Sequence, residues 1–332
     1  MTTHGLPVFD DIIAAEVRQR GIVRETPILT HPALDELAGA TILVKAECLQ
    51  VTGSFKIRGA LNRLAQIQEQ QKAVGVVAFS SGNHAQGVAR AARLLGMPAL
   101  IVMPSDAPQV KVDGVRADGG DIHFYERDTE SREDIADRIS AERGAVLVPS
   151  FDDKDIIAGQ GTAGLEFARQ AEAFGGPLDY LICCAGGGGL ITGMGLAFER
   201  LSSQTIIWTA EPEGHDDWAR SLAAGEILRN PPGTRSICDA ILTPTPGKLT
   251  FALGKRLLKG GFSVLDAEIK EAMKLAFRHL KIIVEPGGAA ALAAIVKGVP
   301  EAMRGKRIGV MATGGNVDAE TFVQILKDRK TD

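Results

Sequence analysis

Two short stretches hold the residues best suited to chemistry. In "TGSFKIRGA" (52–60), Ser54 is a good helix N-cap, and Ile57, Leu61 and Leu64 follow at i, i+4 and i+7. Lys56 therefore falls in a first helical turn. A cation there faces the positive end of the helix dipole, at a cost of about 0.3–1 kcal/mol. Partial burial between Phe55 and Ile57 would disfavour the ammonium further and free the amine as a nucleophile. In "CCAGGGGLITGM" (183–194), four glycines follow an apolar strand and open a helix. Backbone N–H groups without side chains can curl around an anion there, and a phosphate is the natural guest. The plainer reading is a tight strand-to-helix turn, which rarely needs four glycines in a row.

Three more loops have the same strand-then-loop form. "SSGNHAQG" (80–87) offers Ser80, Ser81 and Asn83 as donors at a helix start, suited to a carboxylate or a polar ring substituent. His84 reads either as part of that set or as a first-turn surface histidine. "MATGGNVD" (311–318) can present the neutral hydroxyl of Thr313 to a ligand, or be an ordinary turn. "EPEGHDDW" (211–218) could give hard oxygen ligands for a divalent cation from Glu211, Asp217 and the carbonyl of His215. The alternative is a solvated acidic turn capping a helix that starts near Asp216. A dinucleotide is a poorer guest for the glycine loop. Glu211 stands where a ribose-binding acid would, but Thr192 occupies the place of the third glycine.

These loops need elements to hold them. Apolar runs at 40–47, 74–80, 98–104, 121–126, 145–150, 179–185, 205–212 and 307–313 read as strands. Helical patterns at 55–71, 83–95, 130–142, 160–174, 190–202, 266–280 and 287–297 alternate with them. That alternation predicts an α/β fold of βαβ units with parallel sheets. With 332 residues there is enough chain for two lobes. A small lobe at 74–150 is expected to interrupt a large one formed by 1–73 and 151–332. "PSFDDKDIIAGQGTAG" (149–164) reads as the long connection back. In open α/β sheets ligands bind beyond the carboxyl ends of strands, which points to the loops after Phe79, Ala185, Ala210 and Ala312.

Composition narrows the class. A net charge of -4 with no basic run argues against nucleic acid as a partner. No apolar stretch reaches the ~18 residues that a membrane span requires. The N-terminus has no basic region followed by an apolar core, so no signal peptide is expected. Cys48, Cys183, Cys184 and Cys238 lack metal-ligand spacing and read as reduced core residues of a cytoplasmic protein.

A lysine amine and a phosphate loop at one cleft suit a phosphorylated aldehyde, and pyridoxal 5'-phosphate is that aldehyde. The sequence also resembles the fold-type II pyridoxal-phosphate enzymes, in the branch of serine/threonine dehydratases, serine racemases and threo-3-hydroxyaspartate dehydratases. The likeness runs from about residue 25 to 318. "TGSFKIRGALN" carries it, with "SSGNHAQG", "GQGTAGLE" (159–166), "AGGGGL" and "VEPGGAAALAA" (284–294) in the expected order. The resemblance implies two open parallel-sheet lobes of the tryptophan synthase beta-like type, with the cofactor between them, and a homodimer. It implies that Lys56 carries the cofactor as a Schiff base and acts as base, and that Phe55 packs on the pyridine ring. Asn83 would bond the ring hydroxyl. Gly186, Gly187, Gly188, Gly189 and Leu190 would donate to the phosphate, and Thr313 would meet the pyridine nitrogen. Ser81, Asn83 and His84 would hold the substrate carboxylate.

A hydroxyl at Thr313 cannot keep the ring nitrogen protonated as a carboxylate would. The weaker electron sink suits elimination of a β-hydroxyl rather than transamination. The expected activity is an ammonia-lyase on L-serine, L-threonine or 3-hydroxyaspartate, a carbon-oxygen lyase giving a 2-oxo acid. The alternative is a serine or aspartate racemase, because Ser81 can act as acid/base on the face opposite the lysine. A non-catalytic or dinucleotide-binding protein is the reading outside this class. By the same resemblance "EPEGHDD" aligns with a divalent-cation site for Mg²⁺, Ca²⁺ or Mn²⁺, with Glu211, His215 and Asp217 as ligands. Arg132 corresponds to an arginine that faces dicarboxylic ligands, or is an exposed helix arginine. Val51 stands where ATP-activated racemases carry lysine, so ATP activation is not expected. The chain stops soon after "GGNVD", so feedback inhibition through a regulatory domain is not expected either.

Overall fold

The computed structural model describes residues 5–328. Residues 1–4 and 329–332, the two ends of the expected large lobe, lie outside that range. The strands are β1 (Ile28–Leu29), β2 (Thr41–Ala46), β3 (Val76–Phe79), β4 (Ala99–Pro104), β5 (Asp121–Tyr125), β6 (Val146–Leu147), β7 (Tyr180–Cys184), β8 (Ile206–Pro212), β9 (Leu258–Val264) and β10 (Arg307–Ala312). They form a six-stranded sheet in the order β1-β2-β10-β7-β8-β9 and a four-stranded sheet in the order β5-β4-β3-β6. Every pairing is parallel except β1 with β2. The mixed α/β architecture is the one that strand-helix alternation predicts, because parallel neighbours need a crossover, usually helical.

The second sheet takes all its strands from 76–147, inside the stretch expected to form the small lobe. Its hydrophobic cluster reaches further, recruiting Ile57, Ala60, Leu61 and Leu64 from helix Lys56–Leu64. The lysine helix thus packs with the small sheet. Its first turn is joined to the large sheet, since the Phe55 N–H donates to the Thr313 carbonyl at 3.1 Å and Ser54 bridges to Gly314.

Helix Lys154–Ala173 begins six residues before the expected start at 160. Much of "PSFDDKDIIAGQGTAG" is therefore helix, not connection. Asp153 caps it, accepting from the Asp155 and Ile156 amides at 2.8 and 3.0 Å. Gly159, Gly161 and Gly164 argue against helix by propensity, but each sits at a helix contact. A Cβ on Gly159 would lie 2.7 Å from the Gly59 Cα, and one on Gly193, in helix Gly189–Leu201, 2.3 Å from the Ile157 carbonyl oxygen. One long helix thus touches, backbone to backbone, both the helix that starts at Lys56 and the helix that follows the glycine loop.

Other expectations shift at element ends. The 55–71 pattern splits into helices Lys56–Leu64 and Glu69–Lys72, and Phe55 rather than Ser54 takes the N-cap position, without a side-chain cap bond. The 266–280 pattern is α-helical only to Leu275 and finishes as a π-turn over Ala276–Leu280.

In an ordinary helix interior, glycine to alanine stabilises by up to about 1 kcal/mol. Gly159→Ala and Gly193→Ala are expected to have the opposite sign. Overpacking should cost about 1–3 kcal/mol, which lowers the midpoint of a circular-dichroism melt by several degrees.

Candidate active site

Three of the four strand-end loops converge on one cleft between the two sheets. It is lined by the residues after β3 from Phe79 to His84, by the loop after β7 from Cys184 to Ile191, and by Thr313 after β10. Phe55 and Lys56 enter from the lysine helix. The expected residues Phe55, Lys56, Ser81, Asn83, His84, Gly186, Gly187, Gly188, Gly189, Leu190 and Thr313 are thus brought together. Arg132, at the start of helix Arg132–Arg143, lines the same cleft. Its guanidinium lies over the Phe79 ring, 5.4 Å from the centroid, and bonds Glu133 at 2.9 Å.

Lys56 is the first residue of its helix. Its Nζ donates to the Ser150 carbonyl at 3.0 Å and lies 5.3 Å from the Phe55 ring centroid. Burial disfavours its ammonium and pushes the amine down to about 8. Two residues on, Arg58 faces the other way into a buried ionic network. It grips Glu47 with Nε and Nη2 at 2.8 and 2.7 Å, and reaches Glu166 at 3.0 Å and Thr162 at 3.2 Å. Lys45 pairs with Glu166 from the far side. A bidentate arginine fixes the helix in rotation, and so fixes where Lys56 points.

Sequence reasoning missed the partners of Asn83. Its amide nitrogen donates to Glu285, and its oxygen accepts from Asn316 at 2.8 Å. One N–H of Asn83 is left for a ligand. Lys111 lies under this loop, bonding Asp239 at 3.0 Å and Glu285 at 3.1 Å. Burial raises Glu285, and the Lys111 charge opposes that shift. The only hint in the sequence was Glu285 within "VEPGG".

His84 departs from expectation in its side chain. Its Nε2 lies 3.1 Å from the Val148 carbonyl, which can only accept, so the imidazole proton is committed there. Burial and the nearby Lys56 charge push this histidine down to about 3, so it is neutral. The ring therefore has no proton for a carboxylate. What His84 can still offer is its backbone amide in the first turn of helix Asn83–Leu94.

The glycine loop fits a phosphate. Among the described residues, the amides of Gly186, Gly187 and Gly188 have no backbone acceptor. Side chains are excluded by space, since a Cβ on Gly187 would come 2.2 Å from the Phe151 ring. Gly188 has φ of 95°, a conformation that favours glycine.

The fourth loop does not line the cleft. Glu211, His215 and Asp217 lie behind the glycine loop, and no group of three His, Cys, Asp or Glu side chains suited to a metal occurs among the described residues. Both oxygens of Glu211 accept backbone amides, from Trp218 at 2.9 Å and Ala219 at 3.0 Å. Asp217 accepts from Asn230 at 2.6 Å through Oδ1, while its buried Oδ2 has no partner among the described residues. Burial pushes Asp217 up to about 7, and burial together with the Asp217 charge pushes Glu211 well above the carboxylate range.

The depressed Lys56 amine sets a pH dependence. Its neutral fraction falls about tenfold per pH unit below 8 and saturates above it. Trapping of pyridoxal on Lys56 of the cofactor-free chain, followed by borohydride and peptide mapping, is expected to rise with pH and level off just above 8. A midpoint near 10, the value for an ordinary lysine, would contradict the burial argument.

Comparison with known proteins agrees with this geometry. A family model described as pyridoxal-phosphate dependent enzyme matches residues 20–314. An L-threo-3-hydroxyaspartate ammonia-lyase of a Pseudomonas species is 44% identical over 323 residues, 97% of this chain and 99% of its own. A serine racemase of Schizosaccharomyces pombe is 38% identical over 322 residues, 97% and 98% of the two chains. A maize serine racemase structure superposes with a TM-score of 0.89 at 38% identity, over 96% of each chain. A match that spans both sheets and every loop of the cleft leaves one assignment: the chain belongs to the pyridoxal-phosphate dependent enzyme family.

Proposed function

We propose that this enzyme is an ammonia-lyase (dehydratase) for β-hydroxy amino acids, with 3-hydroxyaspartate as its best substrate and L-serine and L-threonine as weaker ones. The observation that carries the reading is that Lys56, Ser81 and Arg132 line one cleft with the glycine loop. The 44% identity to a hydroxyaspartate ammonia-lyase supports it. The substrate loses its β-hydroxyl and Cα proton as water, and one water is taken back on hydrolysis. The products are a 2-oxo acid and ammonium.

When bound, pyridoxal phosphate supplies the electron sink that makes the Cα proton removable. The amides from Gly186 to Leu190 hold its phosphate, Phe55 packs on its ring, and the remaining N–H of Asn83 reaches its hydroxyl. Thr313 meets the ring nitrogen with a neutral hydroxyl, which suits prompt loss of the β-hydroxyl. The amine of Lys56, close to half neutral near pH 8, takes the Cα proton. Ser81 and the backbone amides of Asn83 and His84 hold the α-carboxylate at the helix start. Arg132 holds a second carboxylate, charge to charge, from the cleft wall.

A divalent cation, Mg²⁺ foremost with Ca²⁺ or Mn²⁺ as alternatives, completes the reading. It would lie at Glu211, Asp217 and the His215 carbonyl. The partnerless Oδ2 of Asp217, and two carboxylates that burial drives toward neutrality, support it. A cytoplasmic homodimer is part of the proposal. Four free, buried cysteines support the location, and the resemblance to the fold-type II branch supports the dimer.

Ser81 in the cleft favours a second reading, an amino-acid racemase. A side-by-side assay of 2-oxo acid, ammonium and enantiomer ratio separates the two. We expect 2-oxo acid and ammonium in equal amounts, fastest from 3-hydroxyaspartate. Arg132→Met should lower kcat/KM for that substrate about tenfold or more and leave L-serine within about twofold. D-serine accumulating with little 2-oxo acid would sink the lyase reading. For the cation, chelator is expected to lower the melting midpoint and Mg²⁺ to restore it. A midpoint indifferent to both removes the metal.

A further inference from the structure

The carbonyls of Gly186, Gly187 and Gly188 are each held from behind. The Gly186 carbonyl accepts from the Trp218 indole Nε1 at 2.7 Å. The Gly187 carbonyl accepts from Thr250 Oγ1 at 2.6 Å and from the Gly247 amide at 3.2 Å. The Gly188 carbonyl accepts from Thr192, whose hydroxyl lies at 2.8 Å. A trans peptide is planar, with its C=O and N–H pointing opposite ways. A carbonyl tied behind the loop therefore aims the next residue's amide forward. Trp218 sets the Gly187 N–H in this way, and Thr250 sets the Gly188 N–H.

Neither holder can drift. Trp218 is fully buried, and its ring is wedged between two glycines. A Cβ would come 2.1 Å from the ring at Gly188 and 2.3 Å at Gly254. Its backbone N–H is pinned by Glu211 at 2.9 Å. Thr250 is also fully buried, and its helix start is pinned by Asp152, which accepts from the Leu249 and Thr250 amides at 2.8 and 3.2 Å. Glycine peptides have no side chain to resist a flip, so the orientation of this loop depends on what its carbonyls meet.

We propose that Trp218 and Thr250 are positioning residues of the anion cradle, turning the glycine-loop carbonyls outward so that the amides converge on the cofactor's phosphate. This rests on the reading that the loop takes that phosphate. The acidic loop gains a role from it, because Glu211 anchors the backbone of the residue that holds Gly186.

The test compares the affinity of the full-length, cofactor-free chain for pyridoxal 5'-phosphate and for pyridoxal, which lacks the phosphate. The variants are Trp218→Phe, which keeps a ring without the N–H, Thr250→Val, which keeps the shape without the hydroxyl, and Thr250→Ser as the rescue. Each loss of a bond is expected to weaken pyridoxal 5'-phosphate about three- to tenfold and leave pyridoxal within about twofold, and Ser should restore the parent value. Equal weakening of both ligands, or unchanged affinity for the phosphorylated one, overturns the proposal. Should Trp218→Phe not fold, Thr250→Val and its rescue decide the matter alone. If the parent chain binds both ligands equally, the phosphate reading of the loop itself fails.

Discussion

The site depends on three helices meeting at backbone distance. Helix Lys154–Ala173 runs between the helix that begins at Lys56 and the helix that leaves the glycine loop. Gly159 faces Gly59 on one side and Gly193 faces Ile157 on the other. Any side chain at these contacts would push the lysine helix and the glycine loop apart. A displacement of about an ångström matters at a reacting centre. The close approach therefore outweighs the poor helix propensity of glycine, which costs about 1 kcal/mol per residue.

Electrostatics then divides the labour along one helix. Arg58 is buried but fully paired, with Glu47 and Glu166 holding its charge. Lys56, two residues earlier, donates to the Ser150 carbonyl and pairs with no carboxylate among the described residues, and burial drives it toward the neutral amine. Opposite faces of one turn thus carry a permanent cation that anchors and an amine that can react. The same contrast runs through the cleft. Asn83 is oriented by Glu285 and Asn316, while His84 is neutral and spends its proton on Val148. The two sheets supply the frame by placing the ends of β3, β7 and β10 at one opening.

Much of this was legible in the sequence because apolar periodicity and glycine placement are local signals. The runs behind β2, β3, β4, β7, β8 and β10 are apolar and lie inside sheets, so they stand out. Of the edge strands, β5 and β6 were also legible, within 121–126 and 145–150, and β1 and β9 were not. β1 has two residues, and β9, "LKGGFSV", is broken by Gly260 and Gly261, with Gly261 approached by Thr209. The start of helix Lys154–Ala173 was hidden for the same kind of reason, since its glycines serve neighbours far away in the chain. Trp218, Thr250 and Lys111 left no local pattern, because each acts on a loop more than twenty-five positions distant.

By itself the sequence determined the class of fold and the positions of the first-turn lysine, the glycine loop and the polar loops at strand ends. These follow from spacing within a dozen residues, which chain geometry translates directly into one helix turn or one strand end. Only the tertiary structure decided which loops share a cleft. It set Arg132 on the cleft wall, took the acidic loop behind the glycine loop, and committed the His84 ring nitrogen to the Val148 carbonyl. Those outcomes depend on packing and hydrogen bonds between segments far apart in the chain, such as Trp218 with Gly186, 32 positions apart, and Asn83 with Glu285, 202 apart. No local rule of spacing reaches that far.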